Sequence, residues 1–108
     1  MRDYQDRQLA ALGDATRRAI LGRLVDAGPL AVNEIADGLP ISRPAVSQHL
    51  RVLMEADLLT VREAGTRRLY AVNPDAIESL RGYFDRFWTR SLTAFARKAD
   101  ASARRKKR

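Results

Sequence analysis

A short apolar stripe, a proline break and a second apolar stripe fall between residues 32 and 55, and few folds accommodate that order. The first stripe spans roughly Val32 to Gly38, with Ile35, Ala36 and Leu39 on one side. "LPI" interrupts the period at Pro40, and "SRPAVSQHLRVL", Ser42 to Leu53, opens a second helix expected over 42–56. Ser42 supplies an N-cap oxygen, and Pro44 lies in the first turn, where its missing N–H costs nothing. At about 100° per residue, Leu50 and Leu53 fall within roughly 40° of Val46 and form a buried edge. Pro44, Gln48, Arg51 and Glu55 point the opposite way, with Ser47 between. Ile35, Leu39, Val46 and Leu50 can meet across the corner, which makes the pair a helix-turn-helix. Its outer face carries short donors and acceptors plus arginine, groups suited to base edges and phosphates, and a helix N-terminus attracts phosphate.

The flanking segments extend this pattern. Asp14 is placed to cap a helix carrying Ile20, Leu21, Leu24 and Val25, which stops at Gly28-Pro29. Leu9 and Leu12 point to an earlier short helix from about Tyr4. From Leu58 to Asn73 the period changes from helical to alternating, with Leu59 and Val61 on one limb and Arg68, Tyr70 and Val72 on the other. That alternation predicts a β-hairpin wing over 58–72, turning at Ala64-Gly65. Arg62, Arg67 and Arg68 surround the tip, where arginines can reach a nucleic-acid backbone or minor groove. Asn73-Pro74 then starts a last helix in which Ile77, Leu80, Phe84, Phe87, Trp88, Leu92 and Phe95 recur every three or four residues. The expected architecture is mainly α with a β-hairpin wing, in the order α-α-α-α-β-β-α.

Charge must be located before it is interpreted. The chain of 108 residues carries a net charge of +7, but residues 97 to 108 alone hold +6. Residues 1 to 96 are expected to form one domain of nearly balanced charge, and 97 to 108 a basic, disordered tail. The tail could add salt-sensitive, sequence-independent affinity for phosphates or serve only solubility. No stretch approaches the roughly 20 apolar residues of a membrane span, and the first residues lack the apolar core of a signal peptide. A cytoplasmic location is the expectation. An amphipathic helix and an arginine-bearing hairpin each also describe a merely solvated surface; their joint occurrence in this order favours DNA binding.

Two longer strings, "ALGDATRRAILGRL" and "EIADGLPISRPAVSQHLRVLMEADLLTVREAGTRRLY", resemble the ArsR-type (arsenic-repressor-like) family of winged helix-turn-helix transcriptional repressors. The likeness extends over about residues 7 to 96. It implies a homodimer, operator DNA as partner, and repression that an effector relieves in many members. By that resemblance Ser42, Arg43, Ser47, Gln48 and Arg51 match the recognition helix, and Thr66, Arg67 and Arg68 the wing. Pro44 and Arg62 join the expected DNA-binding set by their positions. The surplus of large apolar residues on the last helix, together with the resemblance, places Leu80, Phe84, Phe87, Trp88, Leu92 and Phe95, with Leu9 and Leu12, at a two-fold dimer interface.

The chain departs from the metal-sensing members of that family. It has no cysteine, and its one histidine, His49, lies on the flank of the buried stripe. Asp75, Glu78 and Asp85 of the last helix lack a histidine companion, and carboxylates alone suit hard ions. No metal, no cofactor and no catalysis are expected, because no nucleophile–base pair can be assembled. The sequence names no effector. A chain of the same fold that reads no DNA and acts as a protein-interaction scaffold is the alternative.

Overall fold

The computed structural model describes residues 2–106. Its elements are α1 (Arg2–Ala11), α2 (Ala15–Ala27), α3 (Val32–Asp37), α4 (Arg43–Glu55), β1 (Leu59–Ala64), β2 (Arg67–Val72) and α5 (Pro74–Lys106), the expected order. The chain divides into two compact units, the first ending at Ile77 and the second beginning at Glu78. The physical reason is visible along α5, where every residue from Phe84 to Arg104 is exposed. α5 continues to Lys106, through most of the segment expected as a basic tail. Ala96, Ala99, Ala101 and Ala103 are interspersed there with arginine and lysine, all strong helix formers. Residues 107 and 108 lie outside the described residues.

In the first unit, Ile20, Leu24, Ile35, Val46, Leu50, Leu53 and Leu58 form the buried centre. The helices around it start and stop on local chemistry. Asp14 accepts the Arg17 N–H at 3.0 Å and so caps α2. This bond holds the Asp14 carboxyl below its ordinary value of 3.8. The other end of α2 stops at Gly28, whose φ of 79° suits glycine and whose N–H reaches the Leu24 carbonyl at 2.9 Å. Val25 is exposed rather than part of the buried stripe. It lies roughly 140° from Ile20 on the helical wheel, too far round to share its face.

α1 is fastened at both ends. Arg17 Nε donates to the Ala11 carbonyl at 2.7 Å, and Arg18 Nη1 to that of Leu12 at 2.6 Å. Both cations thus satisfy the carbonyl end of α1, where a positive charge is also favoured by the helix dipole. At the other end the Tyr4 hydroxyl donates to Asp57 Oδ2 at 2.9 Å, which raises the tyrosine above its usual 10.0. Asp57 joins α4 to β1 with a φ of 62°, a left-handed conformation that aspartate tolerates better than most residues. Asn73 Nδ2 donates to the Asp57 carbonyl at 2.9 Å, while Asn73 Oδ1 accepts the Asp75 N–H at 3.2 Å at the start of α5.

β1 and β2 pair antiparallel with Leu59 opposite Val72 and Ala64 opposite Arg67. The loop is therefore Gly65-Thr66, one residue later than Ala64-Gly65. Gly65 has a φ of 65° and Thr66 does not share it, the pattern of a type II′ turn whose twist matches the strands. Leu30 adds a single bridge to the outer edge of β2. Its N–H and carbonyl exchange bonds of 3.0 and 2.8 Å with Tyr70.

The second unit is helical from Glu78 to Lys106. Along it Phe84, Phe87, Trp88, Leu92 and Phe95 form an exposed apolar stripe, from half exposed at Phe84 to 72 % at Phe95. Tyr83 and Phe84 meet edge to face, with centroids 5.5 Å apart.

Candidate nucleic-acid interface

α4 is assembled as its sequence dictates. Ser42 Oγ accepts the Ala45 N–H at 3.3 Å, and Ser42 itself is extended, with φ −73° and ψ 159°. Pro44 lies in the first turn. Val46, Leu50 and Leu53 are all buried, and Ile35 of α3 is buried with them. On the opposite side Ser42, Arg43, Pro44, Ser47, Gln48 and Arg51 are every one exposed. A rigid, half-buried rod thus presents hydroxyl, amide and guanidinium groups outward from its first two and a half turns. Such groups can bond base edges in a major groove and, near the N-terminus, phosphates.

The approach to α4 is braced by Arg23. Its Nε and Nη2 donate to the Glu34 carbonyl of α3 at 3.2 and 2.7 Å. The guanidinium lies so close to Gly38 that a Cβ there would sit 2.8 Å from Cζ. Gly38 is therefore a close-approach glycine, and any larger residue would push Arg23 off its two bonds. Glu34, the third residue of α3, accepts the Ala31 N–H at 3.0 Å, half of a capping box. A glutamate at that helical position is a readable sequence cue; the Arg23 brace and the Leu30 bridge carry no such mark.

The wing presents its cations on two faces. Directly paired residues share a face, so Arg62 and Arg67 project one way and Arg68, opposite Glu63, the other. Arg62, Thr66, Arg67 and Arg68 are exposed. Arg67 nevertheless has a partner, since Nη2 is in an ion pair with Glu34 Oε1. Arg62 and Arg68 make no ion pair among the described residues.

Of the residues expected at a dimer interface, Phe84, Phe87, Trp88, Leu92 and Phe95 are exposed, and Leu9 and Leu12 are half-buried. Leu80 is buried, at 5 % exposure. His49 is half-buried on α4. Among the described residues no group of three or more His, Cys, Asp or Glu side chains is placed to hold a metal ion. No helix of the described residues is long and apolar enough to cross a membrane.

Comparison with known proteins agrees with this geometry. A helix-turn-helix domain family matches residues 12–62. The chain is 56 % identical over 96 residues to the HTH-type transcriptional regulator Rv2034 of Mycobacterium tuberculosis, covering 89 % of each chain. An ArsR-like transcriptional regulator from Rhodococcus superposes with a TM-score of 0.75 at 28 % identity, over 86 % of this chain and 90 % of that one. The homodimeric winged helix-turn-helix DNA-binding domain Mb0332 from Mycobacterium bovis gives a TM-score of 0.66 at 26 % identity, over 81 % and 80 %. Helix-turn-helix corner, hairpin wing and these likenesses together make the chain a member of the ArsR-type family of winged helix-turn-helix transcriptional regulators.

Proposed function

We propose that this regulator is a homodimeric repressor that recognises a pseudo-palindromic operator through α4 and the hairpin wing. One observation carries the proposal: Ser42, Arg43, Pro44, Ser47, Gln48 and Arg51 on the outer side are exposed while Val46, Leu50 and Leu53 on the inner side of α4 are buried. Gln48 and Arg51 read base edges, Ser42 and Ser47 contact bases or phosphates, and Pro44 packs at the groove wall. Arg43, Arg62 and Arg68 hold the backbone or minor groove, with Thr66 at the wing tip.

Dimerisation follows from two considerations. A stripe with Trp88 65 % exposed and Phe95 72 % exposed is a larger apolar surface than an isolated helix ordinarily leaves in water. A two-fold pair also sets two recognition helices about 34 Å apart, one turn of duplex DNA. Phe84, Phe87, Trp88, Leu92 and Phe95 form that interface, with Leu9 and Leu12 of α1 contributing. The protein works in the cytoplasm as a non-enzymatic regulator, and neither metal nor cofactor enters the mechanism.

The test is a gel shift on the DNA upstream of its own gene, with increasing random competitor. A complex that survives excess competitor supports the repressor role. A complex that competitor removes in proportion to its mass contradicts it and favours the protein-interaction scaffold. Sequencing the fragments retained from a genomic pool would define the operator.

A further inference from the structure

The sequence pattern sends Arg67 to DNA together with Arg62 and Arg68, yet the three are not equivalent in the folded chain. Arg67 is in an ion pair with Glu34, with its side chain about half exposed (53 %) and that of Glu34 39 % exposed. Glu34 is itself fixed on two further sides. Its Oε1 accepts the Ala31 N–H at 3.0 Å, and its carbonyl receives both Arg23 bonds. The acid is thus an anchored part of α3 and not a mobile surface group.

Position along β2 gives the pair its effect. Arg67 is the first residue of β2 after the wing loop. The Leu30–Tyr70 backbone bonds hold the same strand three residues further on. Two fixed points about 10 Å apart, at roughly 3.4 Å per residue, define a direction for the strand, whereas one point leaves a pivot. The helix-turn-helix therefore grips the wing at its base through the backbone and near its tip through Arg67. Electrostatics point the same way. To bind a phosphate, Arg67 would have to leave Glu34 and strand a carboxylate beside the DNA backbone, an unfavourable juxtaposition of like charges.

We infer that Arg67 is a positioning residue: it sets the angle of the wing against the helix-turn-helix through Glu34 and does not itself neutralise a phosphate. The inference rests on the wing approaching DNA as proposed above. It divides the wing arginines into one that aims and two that touch.

Salt dependence separates the two roles. For duplex DNA, removing one phosphate-neutralising cation should reduce the slope of log affinity against log salt by about 0.9. Operator affinity is measured across a salt series for Arg62→Ala, Arg68→Ala, Arg67→Ala, Arg67→Lys, Glu34→Gln and the Arg67→Ala/Glu34→Gln pair. Arg62→Ala and Arg68→Ala should each flatten the slope. Arg67→Ala and Glu34→Gln should weaken binding by about two- to fivefold, the range of an exposed ion pair, and leave the slope unchanged. The double variant should be no weaker than the weaker single variant, because both remove one interaction. Arg67→Lys should recover part of the loss. A flattened slope in Arg67→Ala, or tighter binding in Glu34→Gln, would overturn the inference. Glu34→Gln keeps an acceptor for the Ala31 N–H, so the start of α3 survives the change.

A second readout needs no DNA. Amide hydrogen exchange between Val61 and Leu69 should quicken in Arg67→Ala and Glu34→Gln and stay at the parental rate in Arg62→Ala. Unchanged exchange in both Arg67→Ala and Glu34→Gln removes the tie. Quickened exchange in a protein that fails to select its operator would refute the repressor role and leave the tie standing.

Discussion

Trp88→Ala gives the most quantitative test of the proposed dimer. Trp88 is 65 % exposed in the single chain and sits mid-stripe on α5. A tryptophan side chain can bury up to about 250 Å², so roughly 160 Å² is available to a partner. At about 25 cal/mol per Å² that area corresponds to about 4 kcal/mol per protomer, an upper bound because association also costs side-chain and rigid-body freedom. If half is realised, two symmetric copies lose about 4 kcal/mol on truncation to alanine, about a 10³-fold weaker dimer. Sedimentation equilibrium over a wide concentration range measures this directly. Operator affinity should fall alongside, because a monomer engages one half-site only. A dimer constant within threefold of the parent would refute the assignment of this stripe to the interface.

Gln8 offers a test of a different kind. It is fully buried on α1, and neither its amide nitrogen nor its oxygen has a hydrogen-bond partner among the described residues. Gln8→Leu should stabilise the chain by about 1–3 kcal/mol in urea melts, the cost of an unsatisfied buried polar group; destabilisation would mean the amide is engaged. The Asp14 carboxylate is held below its ordinary value chiefly by the Arg17 N–H, so the folded state favours its charged form. Its contribution is complete above the unfolded value of 3.8 and is lost as pH falls through the lower folded one. Asp14→Asn should therefore flatten stability below about pH 4 in acid melts, and an unchanged acid limb would rule the cap out as its source. The Arg67 and Glu34 variants add the prediction of weaker operator binding at a parental salt slope.

How much of this was legible in the sequence depended on whether a residue's role was local. Asp14, Ser42 and Asn73 cap helices through neighbours two or three residues away, and each was readable where it stands. The outer face of α4 followed from angular spacing alone, since Val46, Leu50 and Leu53 fix which side is buried. The hairpin followed from alternation, but its loop shifted by one residue because Ala64 tolerates the strand and Gly65 takes the positive φ. Non-local pairings left no trace. A one-residue bridge at Leu30 has no periodicity, Arg23 lies over Gly38 across a chain separation of 15 residues, and Arg67 finds Glu34 33 residues away. Gln8 carries no local cue to its burial, which depends on the packing around α1. Beyond residue 96 the chain reads as a basic run, and the alanines interspersed in it sustain α5 to Lys106.

Operator selection depends on α4 reading sequence through Gln48 and Arg51. The direct measurement is binding of the parent, Gln48→Ala and Arg51→Ala to a library carrying every single-base change of the retained operator, at fixed salt. Arg51→Ala should lose about 1–3 kcal/mol on the operator and become indifferent at one base pair in each half-site, with Gln48→Ala indifferent at another. Base preferences identical to those of the parent in both variants would contradict that role.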